Sequence, residues 1–334
     1  MRDVAVVTGG SAGIGLAAAE RLARSGRAVA ILAREPARLE EAAGMLRRLG
    51  NPVLAIPADV ADAAAVDAAA ERVERDLGPI GAWVNNAMST VVAPADRITP
   101  EEYRRVTDTT YLSQVYGTLA ALRHMRPRGR GAIVQVSSGL GIRAAALQAP
   151  YCAAKFAVSG FTDALRTELI ADGVKVSLTV VYLPAVNTPQ FGWARNRTGH
   201  DQEAPDPIFD PRLAAEAIHF AVENPRREIW VGRSTVMMAI AQALAPALAD
   251  RQASSFKEQQ LGDPMGYRPG NLEEAPPGPA RMDGRFGDRV KAARHEFFTS
   301  RQRDAAKLGG LGLLAALGAV GATSVLRGAR RLLR

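Results

Sequence analysis

Short apolar runs alternate with longer segments of helical period over most of the chain. The runs VAVVT (4–8), AVAILAR (28–34), VLAIPADV (53–60), AWVNNA (82–87), GAIVQVSS (131–138), VKVSLTVVYLP (174–184) and REIWVG (227–232) predict strands. Between them, apolar positions recur every three to four residues at 14–26, 36–50, 63–78, 100–125, 149–173 and 212–224, which predicts helices. Pro36 opens one of these, and Gly26 and Gly50 close two. Apolar strands separated by helices predict a parallel sheet covered on both faces, a doubly wound α/β fold of Rossmann type.

The pattern changes twice further on. Residues 188–211 are polar, proline-rich and without period, which predicts a long loop over a binding site. Residues 236–251 read as an apolar helix broken at Pro246, and 262–287 as irregular Gly/Pro-rich chain. Met237 and Met238 read as core. The expected organisation is one α/β domain over 1–235, an extension over 236–306, and an apolar helix with a basic end over 307–334.

Composition narrows this picture. With 334 residues and 47% apolar content, the chain can fill a core, so wholesale disorder is excluded. Cys152 is the lone cysteine, so no intrachain disulfide or cysteine-based zinc site forms. Histidines 124, 200, 219 and 295 show no ligand spacing, so no metal is expected. Twelve Lys/Arg against four Asp/Glu in residues 281–334 account for the whole net charge of +8. The basicity therefore belongs to the tail.

That tail contains LGGLGLLAALGAVGATSVL (308–326), nineteen residues without a charge. As a helix it is about 28 Å long, close to a bilayer core. Lys307 precedes it, and Arg327, Arg330, Arg331 and Arg334 follow. The reading is a C-terminal membrane anchor with the catalytic body in the cytoplasm. A nucleic-acid partner is not expected, because no aromatic residues interleave the charges.

TGGSAGIG (8–15) ends a strand and opens a helix. Gly9, Gly13 and Gly15 permit a tight turn that brings backbone N–H groups to a pyrophosphate. Tyr151 and Lys155, in YCAAK, lie one helical turn apart on one face.

The GxxxGxG spacing of TGGSAGIG, followed in order by ADV (58–60), NNA (85–87), VSS (136–138), YCAAK and PAVNT (184–188), resembles the short-chain dehydrogenase/reductase family. The resemblance spans about residues 3–235 and implies hydride transfer between a nicotinamide cofactor and a carbonyl or alcohol. It implies that Tyr151 is the general acid/base, that Lys155 lowers its pKa and binds the ribose, and that Ser138 bonds the substrate oxygen. Ser137 is the near alternative to Ser138. An asparagine of the family's proton relay is replaced here by Thr110, counted with the catalytic residues.

The same resemblance puts Gly9, Ser11, Gly13, Ile14, Gly15, Asp59, Val60, Asn86, Ala87, Tyr151, Lys155, Val186 and Thr188 on the cofactor. Arg34, at the end of the second strand, stands where an acidic residue would bind the ribose of NAD. A cation there favours NADP(H) over NAD(H). Phe191 and Trp193 offer apolar surface to a carbonyl or alcohol substrate, lipophilic if the tail is an anchor. Relatives assemble through helices that include the YCAAK helix, so a homo-oligomer is expected. Two other readings stay open: a non-catalytic dinucleotide-binding scaffold or sensor, and a sugar-nucleotide epimerase or dehydratase, which the glycine spacing disfavours.

Overall fold

A computed structural model describes residues 2–292 and 295–304. The central strands are β1 (Arg2–Thr8), β2 (Arg27–Ala33), β3 (Val53–Pro57), β4 (Ile80–Asn85), β5 (Gly131–Ser138), β6 (Val176–Leu183), β7 (Glu228–Val231) and β8 (Phe297–Thr299). They form one sheet in the order β8-β7-β6-β5-β4-β1-β2-β3. Every pairing is parallel except that of β7 with β8. The Rossmann-type fold is as the alternation predicts.

Successive strand side chains face opposite sides, and both sides are apolar. Ala5, Val7, Val29 and Ile31 pack under α1 (Gly13–Arg24), α2 (Pro36–Arg47) and a later helix, Pro211–Glu223. Val4, Val6, Ala30 and Leu32 pack under α3 (Ala63–Asp76), α5 (Ser113–Arg128) and α6 (Ala149–Ala171). This two-sided burial explains why the strands read as continuous apolar runs.

Strand ends differ from the sequence reading in a useful way. β3 stops at Pro57 and β4 at Asn85, so Asp59, Val60, Asn86 and Ala87 leave the sheet as loops. The long helix expected over 100–125 is broken. α4 (Pro100–Thr107) runs into a π-helical turn, Asp108–Leu112, before α5 begins. Two threonine hydroxyls in and before that turn bond back to carbonyls four residues earlier, Thr107 to Tyr103 and Thr109 to Arg105, and such bonds bend helices.

The extension is knitted into the body. Helix α7 (Pro211–Glu223) leads to β7, then α8 (Gly232–Leu244) and α9 (Pro246–Gln259), with the break just before Pro246 as expected. β8 was not foreseen: three residues pairing at a sheet edge are too short to announce themselves. Met237 is 60% exposed, so it is not core, and Met238 lines a cavity. The loop over 188–211 is held by three small ladders: Arg195–Asn196 on Val91–Val92, His200–Gln202 on Leu261–Pro264, and Ile208–Phe209 between Ala185–Val186 and Val290–Lys291. Two of these ladders use the extension. Arg195 and Arg197 also bracket the buried carboxylate of Glu102 at 3.0 and 2.6 Å. No helix among the described residues is long and apolar enough to cross a membrane, and the segment 308–326 lies outside them.

Candidate active site

A cavity of about 370 Å³ runs along the C-terminal edge of the sheet. That is where ligands bind in doubly wound sheets, because the strand ends and helix N-termini converge there. Its walls include Gly9, Ser11, Gly13, Ile14, Arg34, Asp59, Val60, Asn86, Ala87, Ser138, Tyr151, Lys155, Val186 and Thr188. Of the sixteen site residues named from the sequence, these fourteen border the cavity. Gly15 is not in the wall. A Cβ on it would stand 2.2 Å from the Gly9 carbonyl and 2.6 Å from the Asn86 amide, so its role is close packing of the turn. Gly9 and Gly13 take positive φ of 68° and 54°, which glycine tolerates. Thr8 ties this turn to the end of β4: its hydroxyl accepts from Asn86 N–H at 2.9 Å, and its carbonyl accepts from the Asn86 amide at 2.9 Å.

At the other end stand Ser138, Tyr151 and Lys155. β5 and β6 pair in register up to Ser138 opposite Leu183, which places the serine at the lip of the cavity. The Ser138 hydroxyl accepts from Leu140 N–H at 3.1 Å and lies close enough to Tyr151 to oppose the rise of its pKa. Ser137 also borders the cavity, but its Oγ is buried without a partner, and Ser138 is the serine that acts on the tyrosine. Lys155 is 2% exposed; its Nζ donates to the Val136 carbonyl at 2.8 Å and lies 5.6 Å from the Tyr151 ring centre.

The electrostatics depart from the simple expectation. Burial pushes the Tyr151 hydroxyl well above the usual phenol range, against the opposing effect of Ser138. Burial pushes Lys155 down to about 7. In the chain by itself, desolvation therefore outweighs any lowering of the tyrosine by an ammonium. Cys152 is buried beside them with its thiol pushed up by burial and turned toward the Ala145 carbonyl, which leaves it inert.

Thr110 does not take the expected place. It is fully buried, and its hydroxyl donates to the Ser89 carbonyl at 2.8 Å while accepting from the Ser89 N–H at 3.0 Å. Both hydrogen-bonding functions are spent on the loop after β4, and Thr109, not Thr110, lines the cavity. A short side chain in the π-turn reaches the neighbouring backbone and no further.

The end of the cavity at Asp59 and Val60 holds residues that the sequence reading missed. Arg38, one turn after Arg34 and in the first turn of α2, is 5% exposed and lines the cavity. Its guanidinium lies 4.8 Å over the Trp193 ring and donates to the Pro276 carbonyl at 2.6 Å. Its Nε is buried without a partner. Trp193 thus packs on Arg38 at this end of the cavity. Arg34 donates to the carbonyls of Asn271, Leu272 and Glu273 at 2.6, 3.2 and 2.7 Å. The i, i+4 spacing of the two arginines was readable, but their backbone partners in the extension were not. Asp59 is ion-paired with Arg105 at 2.6 Å. Glycines without room for a Cβ at one point and an unpartnered buried guanidinium nitrogen at another fit a phosphate-bearing dinucleotide.

The buried lysine carries a testable cost. An unfolded lysine keeps its proton to about pH 10.4, whereas folded Lys155 loses it near 7. Between those values the unfolded chain binds more protons, so wild-type stability rises with pH. Lys155→Met should raise the melting temperature of the cofactor-free protein, and the gain should shrink from pH 7 toward pH 10. Calorimetry at both ends of the window checks this; a gain independent of pH would refute it.

The family profile described as short chain dehydrogenase matches residues 3–197. An uncharacterized oxidoreductase of Bacillus subtilis is 35% identical over 256 residues, covering 75% of this chain and 70% of its own length. A fatty acyl-CoA reductase of Acinetobacter baylyi is 30% identical over 256 residues, covering 73% and 80%. Among solved structures, an alcohol dehydrogenase from Thermococcus sibiricus, complexed with 5-hydroxy-NADP, superposes with a TM-score of 0.60 at 26% identity, covering 69% of this chain and 95% of its own. Matched through the glycine turn, the strand-end loops and the tyrosine–lysine helix, the chain belongs to the short-chain dehydrogenase family and is an NAD(P)-dependent oxidoreductase.

Proposed function

We propose that the chain is an NADP-dependent oxidoreductase that interconverts a carbonyl and an alcohol, with Tyr151 as general acid and base. The observation that carries this is the cluster of Ser138, Tyr151 and Lys155 in one cavity with the glycine turn. The nicotinamide cofactor supplies or accepts the hydride. Ser138 orients the carbonyl oxygen by a hydrogen bond. Tyr151, protonated at neutral pH because burial raises its pKa, gives its proton to that oxygen as the alcohol forms. In the reverse direction the phenolate must form first; its negative charge raises the pKa of Lys155 on the same helix face, and the ammonium so retained stabilises it.

Preference for NADP rests on Arg34 and Arg38. Both spend their hydrogen bonds on backbone carbonyls, and burial lowers the pKa of each, the mark of cations held away from water. A ribose phosphate supplies the missing negative charge. Leu140, Met238, Phe256 and Phe191 give the cavity apolar walls. With the relative named as a fatty acyl-CoA reductase, they support a lipophilic carbonyl as substrate.

Purified protein should oxidise NADPH with long-chain aldehydes or ketones and use NADH more weakly. Tyr151→Phe should lower kcat by about a hundredfold or more. Carbonyl reduction should hold across neutral pH, while alcohol oxidation climbs as pH rises. Unchanged turnover in Tyr151→Phe, followed by NADPH absorbance, would remove the acid–base role.

The segment 308–326 and its flanking basic residues support attachment to a bilayer. The full chain should float with vesicles containing anionic lipid, and a chain ending at Ala306 should stay behind. Equal flotation of the two defeats the anchor. Leu119 on α5 and Phe156 and Ile170 on α6, all exposed, support pairing of two copies through these helices. Light scattering should report a dimer or larger for wild type and a monomer for Phe156→Glu; a monomeric wild type ends this reading.

A further inference from the structure

The irregular segment 270–286 follows the cofactor cavity along its length. At the Asp59 end, the Asn271, Leu272 and Glu273 carbonyls hold Arg34, and the Pro276 carbonyl holds Arg38. Asn271, Ala275 and Pro276 face the cavity. Next, Ala280 N–H donates to the Glu41 carboxylate at 2.9 Å, and the Arg281 carbonyl accepts from Gly13 N–H at 2.9 Å in the glycine turn. Last, Gly284 N–H donates to the Asn187 carbonyl at 3.2 Å and Phe286 N–H to the Asn187 side chain at 3.0 Å, beside Thr188.

Three features make this strap a fixed part of the site. Leu272 is fully buried among Val91, Ala93, Ile98 and Val106. Gly270 has φ of 66°, and a Cβ on it would stand 2.2 Å from Arg195 N. Gly284 packs so closely that a Cβ would stand 2.4 Å from the Thr188 carbonyl. The strap is therefore pinned before, within and after the stretch that touches the two arginines.

We infer that residues 271–284 are the outer wall of the dinucleotide site, and that they govern cofactor release and position Arg34 for discrimination between cofactors. This rests on the reading that the cavity takes NADP(H). A guanidinium has five N–H donors in a fixed plane. Strap carbonyls engage one edge of Arg34, which fixes its plane and presents the remaining N–H groups to an anion. A free surface arginine would lose that orientation and pay side-chain entropy on binding. Asn271, Leu272 and Glu273 are thus positioning residues through their backbone, and their effect reaches the cofactor by way of Arg34. Because the strap also accepts from the glycine turn and donates to the loop at Asn187, dinucleotide leaves only when these contacts open or the opposite wall does.

The test uses the full chain with Gly270→Ala and, separately, Leu272→Asp, each of which unseats the strap without altering a group on the cofactor. Dissociation of NADPH and of NADH is followed by fluorescence after rapid displacement. Both variants should release NADPH about tenfold faster or more, the equivalent of roughly 1.4 kcal/mol. NADH release should accelerate less, so the NADPH preference falls. In an Arg34→Ala background, strap displacement should change NADPH and NADH release equally, since the positioned group is gone. A structural role alone would leave the ratio of the two cofactors unchanged. Wild-type release rates in both strap variants overturn the inference. A wild type that holds NADH as tightly as NADPH, yet releases both faster once the strap is displaced, would instead sink the NADP reading and leave the wall in place.

Discussion

The parallel sheet is the constraint on which the site depends. Parallel pairing sends the C-terminal ends of β1 to β7 to one edge, and only β8, at the margin of the sheet, runs the other way. The register of β4, β5 and β6 then sets Asn86, Ser138 and the Pro184–Thr188 segment side by side. The β1–α1 turn reaches the same edge, and Gly15 leaves no space between it and Asn86. The glycine turn and the cluster of Ser138, Tyr151 and Lys155 share one cavity because the sheet brings both to the same edge.

Charge within that cavity is managed by burial more than by pairing. Lys155 has one backbone acceptor, and no carboxylate contributes to its pKa. Arg34 and Arg38 rest on carbonyl oxygens. Groups in this condition favour a ligand that brings negative charge, and they cost the free protein stability. Elsewhere the molecule does the opposite. Glu102 is buried with two arginines and caps α4 through Thr99, so a loop far along the chain is held to the helix that follows β4. The two treatments separate a structural ion pair from cations available to a cofactor.

The alternation of strands and helices was plain in the residues because each strand is apolar on both sides and each helix on one. The glycine turn was legible because a tight strand-to-helix turn demands glycine, whereas Ser138, Tyr151 and Lys155 were legible through the resemblance of the ordered motifs to a known family. Thr110 was misread because a residue at the right position in a helical pattern says nothing about a π-turn, which rotates the side chain onto Ser89. The partner of Trp193 was not legible because an aromatic surface fits a substrate as well as a guanidinium, and only the fold shows Arg38 beneath it. The tyrosine's pKa was misjudged for want of its burial.

Local periodicity and turn chemistry act over a few residues, so the sequence by itself determined the doubly wound class and the glycine turn, and it placed Tyr151 and Lys155 one helical turn apart. The extension acts over more than two hundred residues: Arg34 meets Leu272, and Gly13 meets Arg281. Its Gly/Pro-rich segment has no period to announce such contacts, and its bonds to the site are made by backbone carbonyls that every residue carries. Only the tertiary structure could decide that this irregular chain lies along the cofactor groove, because the contacts depend on where the chain runs and not on which side chains it bears.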